Sequence, residues 1–283
     1  SEILASSPIG DISFLSVIWS PFDFPALGVE GAAIATLCAA AWMIIHYSLR
    51  GFTQEFRTNY NTYKGGFNRE TLKKEVEVAA PQGFQEVGVT IVYVLFFKII
   101  GMIGTVEVAA TQVVFTLAMA SFLPAIGFGV ACATLVGKAL GEENPEKAAM
   151  SMLESVRWSV IFMGTMGILF LLFPRPILLI FTNDVEVIEM GLVALRILGV
   201  VQFFDAVGMT LWFALSGAGN TLFPAIIDLS LSWGVFLPGS YLLGIVFGYG
   251  LIGPWLAFAI YLFLYAACIT WKVLRGDWKK IEL

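Results

Sequence analysis

Asp205 lies in the middle of a long apolar run, from Arg196 to Asn220. The run is long and apolar enough to cross a bilayer. A carboxylate at that depth costs about 2.5–3.5 kcal/mol on insertion scales, and such groups mark ion or substrate pathways. Burial strengthens a carboxylate's hold on a proton, whereas a nearby Na+ or organic cation favours the ionised form. One such group can therefore bind a coupling ion or a cationic substrate, but not both together. The plainer reading is a structural carboxylate bonded to a neighbouring helix. Asp228 is another acid within an apolar run, nearer the cytoplasmic end of its span. It fits a relay facing the same cavity as well as a side chain reaching the headgroups. Lys98 and Arg196 lie toward span ends, where long basic side chains snorkel to the interface. Glu154 and Arg157 are three apart and fit a helix-surface pair.

The elements that must carry these residues are membrane helices. Apolar residues make up 58% of the 283 and charged residues only 13%. That excludes an ordinary soluble domain, and the apolar runs are continuous rather than alternating, which excludes a membrane barrel. The net charge of −5 gives no support to a nucleic-acid role. Cys38, Cys132 and Cys268 are scattered through apolar runs; they read as packing residues, not as a disulfide or metal framework. No nucleophile–base pair or metal cluster points to an enzyme, and no cofactor is called for.

In chain order, residues 1–20 are mildly apolar and interrupted, without a signal-peptide pattern, and Ser20 to Pro25 reads as a turn. Spans are expected at about 27–49, 78–103 and 106–140, the last kinked at Pro124. Gly141 ends that helix, and Asn144 caps the next with Pro145 at its first position, giving a span to Phe173. Pro176 to Phe181 fits a segment along the interface. Asn183 and Glu186 fit a capping box opening the Asp205 helix. Further spans follow from Thr221, broken at Pro238-Gly239, and from Gly250 to Trp271. Between the first two spans, residues 51–77 form a basic linker, in which Asn68 caps a short helix. The excess of Lys and Arg in that linker and in the tail places both in the cytoplasm.

A repeat is legible at the two ends of this series. Gly28-Val-Glu-Gly31 and Gly250-Leu-Ile-Gly253 open runs that finish in Leu49-Arg50-Gly51 and Leu274-Arg275-Gly276. This predicts parallel six-span repeats. Residues 1–50 then form the end of an N-terminal lobe and 78–283 a six-helix C-terminal lobe, with most of the first lobe lying outside this chain. The fold class is an all-α polytopic helical bundle, one lobe plus one or two helices of another.

The chain resembles the multidrug and toxic compound extrusion family of secondary transporters. Phe24-Pro25 through Gly28 to Thr36 is similar to that family's sixth helix, Ala80-Pro81-Gln-Gly83 to the start of its seventh, and Phe122-Leu-Pro124 with Leu135-Val136-Gly137 to its eighth. Phe204-Asp205 with Leu215-Ser-Gly217 and Asn220-Thr221 is similar to its tenth helix, and Leu237-Pro238-Gly239 to its eleventh. The resemblance implies two six-helix lobes around a central cavity in a cell membrane, the inner membrane in a bacterium. It implies export of small organic cations against inward Na+ or H+ flow. It also implies that Asp205 is the cation-binding aspartate of the tenth helix, although Ser216 stands where that branch has arginine. Glu86, about one turn early, would be the acid of the seventh helix.

Asp205 and Glu86 near one cavity could share a proton or hold Na+, which prefers hard oxygen ligands. Gln202, Gln112, Gln82, Gln85 and Thr210 offer neutral oxygens, or serve as interhelical bonds. Tyr93, Phe203, Phe204, Trp212 and Trp233 could stack on a flat cation, or pack and face lipid. Two other functions stay open: flipping a lipid-linked sugar in a related fold, and a half-protein that does not transport.

Overall fold

The computed structural model describes residues 28–53, 68–276 and 278; the expected features at residues 1–27 and most of the linker lie outside them. Among the described residues every regular element is helical, and seven helices are long and apolar enough to cross a membrane. The chain divides into two units, Ser1–Lys73 and Lys74–Leu283.

The first unit holds α1, Gly28–Gly51, a run of small and apolar residues ending at the basic Arg50. Asn68, in the same unit, opens α2, Arg69–Ile103. Its side-chain oxygen accepts from the backbone N–H of Glu70 at 2.9 Å, the cap expected of it. The helix it opens is not short. α2 continues through Pro81 for 35 residues, about 52 Å at 1.5 Å per residue. A bilayer core is about 30 Å thick, so the charged first turns belong to water and the rest to lipid.

The second unit is built around α6. After α2 come α3 (Thr105–Gly141), α4 (Pro145–Leu172), the short α5 (Pro174–Leu179) and α6 (Val185–Gly217). α3 is continuous through Pro124. Asn144 caps α4, its side chain accepting from the Lys147 backbone at 2.9 Å, with Pro145 in the first turn. The cap of α6 is Asp184, one residue beyond the expected Asn183; it accepts from Glu186 and Val187. A carboxylate is the better acceptor at the positive end of a helix, and Thr182 receives the N–H of Asp184.

Residues Leu222–Val246 make one span of mixed winding. It consists of α7 (Leu222–Leu231), a π-helical turn at Ser232–Phe236, α8 (Leu237–Tyr241) and a second π turn at Leu242–Val246. Pro238-Gly239 was expected to break this span; it widens instead, and no peptide unit leaves the helix. α9 (Ile252–Arg275) closes the fold and is capped by Gly276 at φ 74°, a left-handed position suited to glycine.

α6 packs against α3, α4 and α9, and glycine lets two of these contacts be close. A Cβ on Gly167 of α4 would lie 2.4 Å from the backbone oxygen of Gly199. One on Gly217 would lie 2.3 Å from the oxygen of Ala133 on α3. Small residues at such crossings allow the dispersion contact that joins helices in lipid.

Candidate functional site

The site forms where α2, α6, α7 and α9 meet. Asp228 of α7 is buried, 7% exposed. Both of its carboxylate oxygens are used: Gln85 of α2 donates its Nε2 to one at 2.6 Å, and the hydroxyl of Tyr261 of α9 donates to the other. Ser232 donates its hydroxyl to the Asp228 backbone carbonyl, within the last turn of α7. The residue expected either to relay or to reach headgroups is therefore held inside the bundle by donors from two other helices.

Asp205 has a different environment. It is half-buried on α6, and among the described residues no hydrogen bond or ion pair reaches its carboxylate. It interacts through space with Asp228, so the two like charges share one region. Tyr93 lies in the field of Asp205, Asp228 and Glu86, and Tyr265 in that of both aspartates. The structure thus brings Asp205 and Asp228 together beside three phenols. Glu86, next to Gln85 on α2, is exposed; it reaches Asp228 and Tyr93 through space rather than by a bond.

The other expected residues part company. Gln202, one turn before Asp205, is fully buried and donates to Ser121 of α3 at 2.5 Å. Gln112 is exposed on α3 without a side-chain hydrogen bond. Gln82 donates to Ser216 at 3.0 Å, joining α2 to the end of α6. Thr210 is buried with its hydroxyl oxygen unpartnered. Glu154 and Arg157 do pair, at 3.8 Å on an exposed face.

Two participants escaped the sequence. Tyr261 is one of eight tyrosines and lies 33 residues from its partner. Gln85 was seen only as one of several neutral oxygens. The remaining signal was helical spacing, since Tyr261 and Tyr265 are one turn apart and stack, 6.3 Å between centroids. Phe236 also stacks on Tyr261, at 5.5 Å.

Among the described residues no three His, Cys, Asp or Glu side chains converge on one point.

Comparisons with known proteins fall on the same stretch. The family model MatE matches residues 81–242, more than half of the chain. A probable multidrug resistance protein NorM of Thermotoga maritima is 30% identical over 268 residues, which are 94% of this chain and 57% of that one. The human multidrug and toxin extrusion protein 1 is 30% identical over 180 residues, covering 64% of this chain and 32% of its own length. The chain thus spans little more than half the length of the NorM relative. Among solved structures, a MATE protein in a straight conformation superposes with a TM-score of 0.80 at 22% identity, over 95% of this chain and 62% of its own. A eukaryotic MATE transporter gives 0.77 at 20% identity, over 93% and 59%. At those identities the likeness shows the fold.

Proposed function

The chain belongs to the MatE family, and from that premise we propose that it carries the ion-coupling half of an exporter of organic cations. The observation that carries the reading is the bare carboxylate of Asp205, half-buried in a membrane-spanning helix beside a second, fully engaged aspartate. An uncompensated anion at that depth calls for a positive partner. A proton, Na+ or an organic cation can each be that partner, and exchange among them is antiport.

Asp205 is the exchanging group in this reading. Glu86, exposed on the neighbouring helix and within the field of Asp228, meets incoming cations first. Asp228 adds the negative field. Gln112 lies on an exposed face suited to contact with substrate, and Gln202 supports the helix that carries Asp205. The rings of Tyr93, Tyr261 and Tyr265 offer π faces to a flat cation. The linker and the C-terminus lie in the cytoplasm, by the same excess of basic residues in both. The relatives named as multidrug resistance and toxin extrusion proteins support this substrate class.

The test is Asp205→Asn in the full-length protein. Asparagine keeps the volume and removes the charge. Export of an organic cation against an imposed Na+ or proton gradient falls to background, while membrane insertion and yield stay at the unmodified level. Export retained at the unmodified rate would remove Asp205 from the coupling step.

A further inference from the structure

We infer that Tyr261 and Gln85 are positioning residues that hold Asp228 as a fixed anion, so that Asp205 alone exchanges its positive partner. The inference rests on the cation-coupled reading above and divides the labour between its two aspartates.

The division follows from how differently two like groups are treated. The carboxylate of Asp228 accepts Gln85 Nε2 at 2.6 Å on one oxygen and the Tyr261 hydroxyl on the other. Charge-assisted bonds of this kind are about twice as strong as neutral ones. A cation approaching either oxygen meets a donor hydrogen of its own sign. Neither donor can easily turn away. Gln85 is 8% exposed and Tyr261 6%, and the Tyr261 ring stacks on both Phe236 and Tyr265. The backbone is pinned as well, since Ser232 donates to the Asp228 carbonyl.

Asp205 has no such donors among the described residues, yet it feels the charge of Asp228. The groups facing this pair are Glu86, Tyr93 and Tyr265, together with Tyr261. All are acidic or neutral, and among the described residues these groups include no base that could neutralise Asp205. A fixed anion beside a bare one keeps the bare one attractive to any cation, while denying that cation a second carboxylate to grip. A single carboxylate releases what it binds more readily than two acting together, and an exchanger must release.

The test uses the full-length transporter in proteoliposomes, with ethidium as the organic cation. Imposed Na+ gradients form one series and proton gradients another. Tyr261→Phe keeps the stacked ring and removes only the donor. Asp228 then competes for the coupling ion. The half-saturating ion concentration in the series that drives export falls about tenfold or more, the scale of one charge-assisted bond, and the maximal rate falls with it. Gln85→Met removes the other donor at similar volume and shifts half-saturation the same way. An unchanged or weaker half-saturation in these variants overturns the inference, whatever happens to the rate, because a purely structural loss lowers the rate alone. The antiport reading fails separately, if Asp205→Asn exports as the unmodified protein does. Loss of export in Asp205→Asn, with half-saturation unmoved in Tyr261→Phe, sinks only the division of labour.

Discussion

Two buried polar regions lie in contact with α6, and they handle burial in opposite ways. In one, Gln202 and Ser121 form a neutral pair: the amide donates at 2.5 Å, the hydroxyl donates in turn to the Ala118 carbonyl at 2.8 Å, and the Gln202 oxygen is left without a partner. In the other, a carboxylate is doubly bonded while a second stands bare. The neutral region can leave an acceptor unused because a lone amide oxygen costs about 1–3 kcal/mol when buried. A bare charge costs more, and persists where something positive visits it. Within one bundle, the neutral pair reads as a fastener and the charged set as a working part.

The largest effect that can be brought against this contrast removes the frame both regions share. Gly217→Leu places a side chain where a Cβ alone would meet the Ala133 oxygen at 2.3 Å. The α3–α6 crossing opens, and folded, monodisperse protein is lost on size-exclusion chromatography; normal yield would show the crossing to be soft. Next in size is Asp205→Asn, which spares folding and ends export. Set against it, Gln202→Met should lower stability by about 1 kcal/mol or less, the usual worth of an interhelical hydrogen bond in lipid. Export should stay within about twofold of the unmodified rate on that same scale. A thermal melt and a transport assay on one preparation measure both. If Gln202→Met abolished cation dependence, the neutral pair would belong to the working part.

The smallest effect lies outside the membrane. In the loop between α3 and α4, Lys147 donates to Glu142 at 2.7 Å. This bond, and then the lysine's charge, holds the Glu142 carboxyl below its usual range. A carboxyl lowered on folding adds stability above its unfolded titration range, and that stability is lost as pH falls through the folded value. The pair is exposed, so the contribution is small. Glu142→Gln should narrow the gap between melting temperatures at neutral and acid pH, with export untouched; an unchanged gap would leave the pair without a role in stability.

Helix composition and local caps were written plainly in the sequence, as Asn68 and Asn144 show, because a cap needs only residues within three positions. The expected boundary at residue 78 falls inside the continuous helix α2. The change there is in the solvent around the helix, from water to lipid, and the backbone of α2 does not register it. Asp205 stood out because charge is rare in an apolar run. Its partner region did not, since the bonds from Gln85 and Tyr261 to Asp228 span 143 and 33 residues. Only the folded chain reveals that a common tyrosine and one glutamine among several converge on the same carboxylate.

The winding of the 222–246 span has a bearing on how such a chain can vary. Leu237 N–H donates to Ser232 O, and Phe247 N–H to Leu242 O, each five residues back instead of four. Each turn therefore accommodates one residue more than regular α-winding, about 100° of rotation apiece. Single-codon insertions and deletions, ruinous in most buried helices, have in these two places somewhere to go: the coil can tighten or loosen by one residue while Asp228, lying before both, keeps its register.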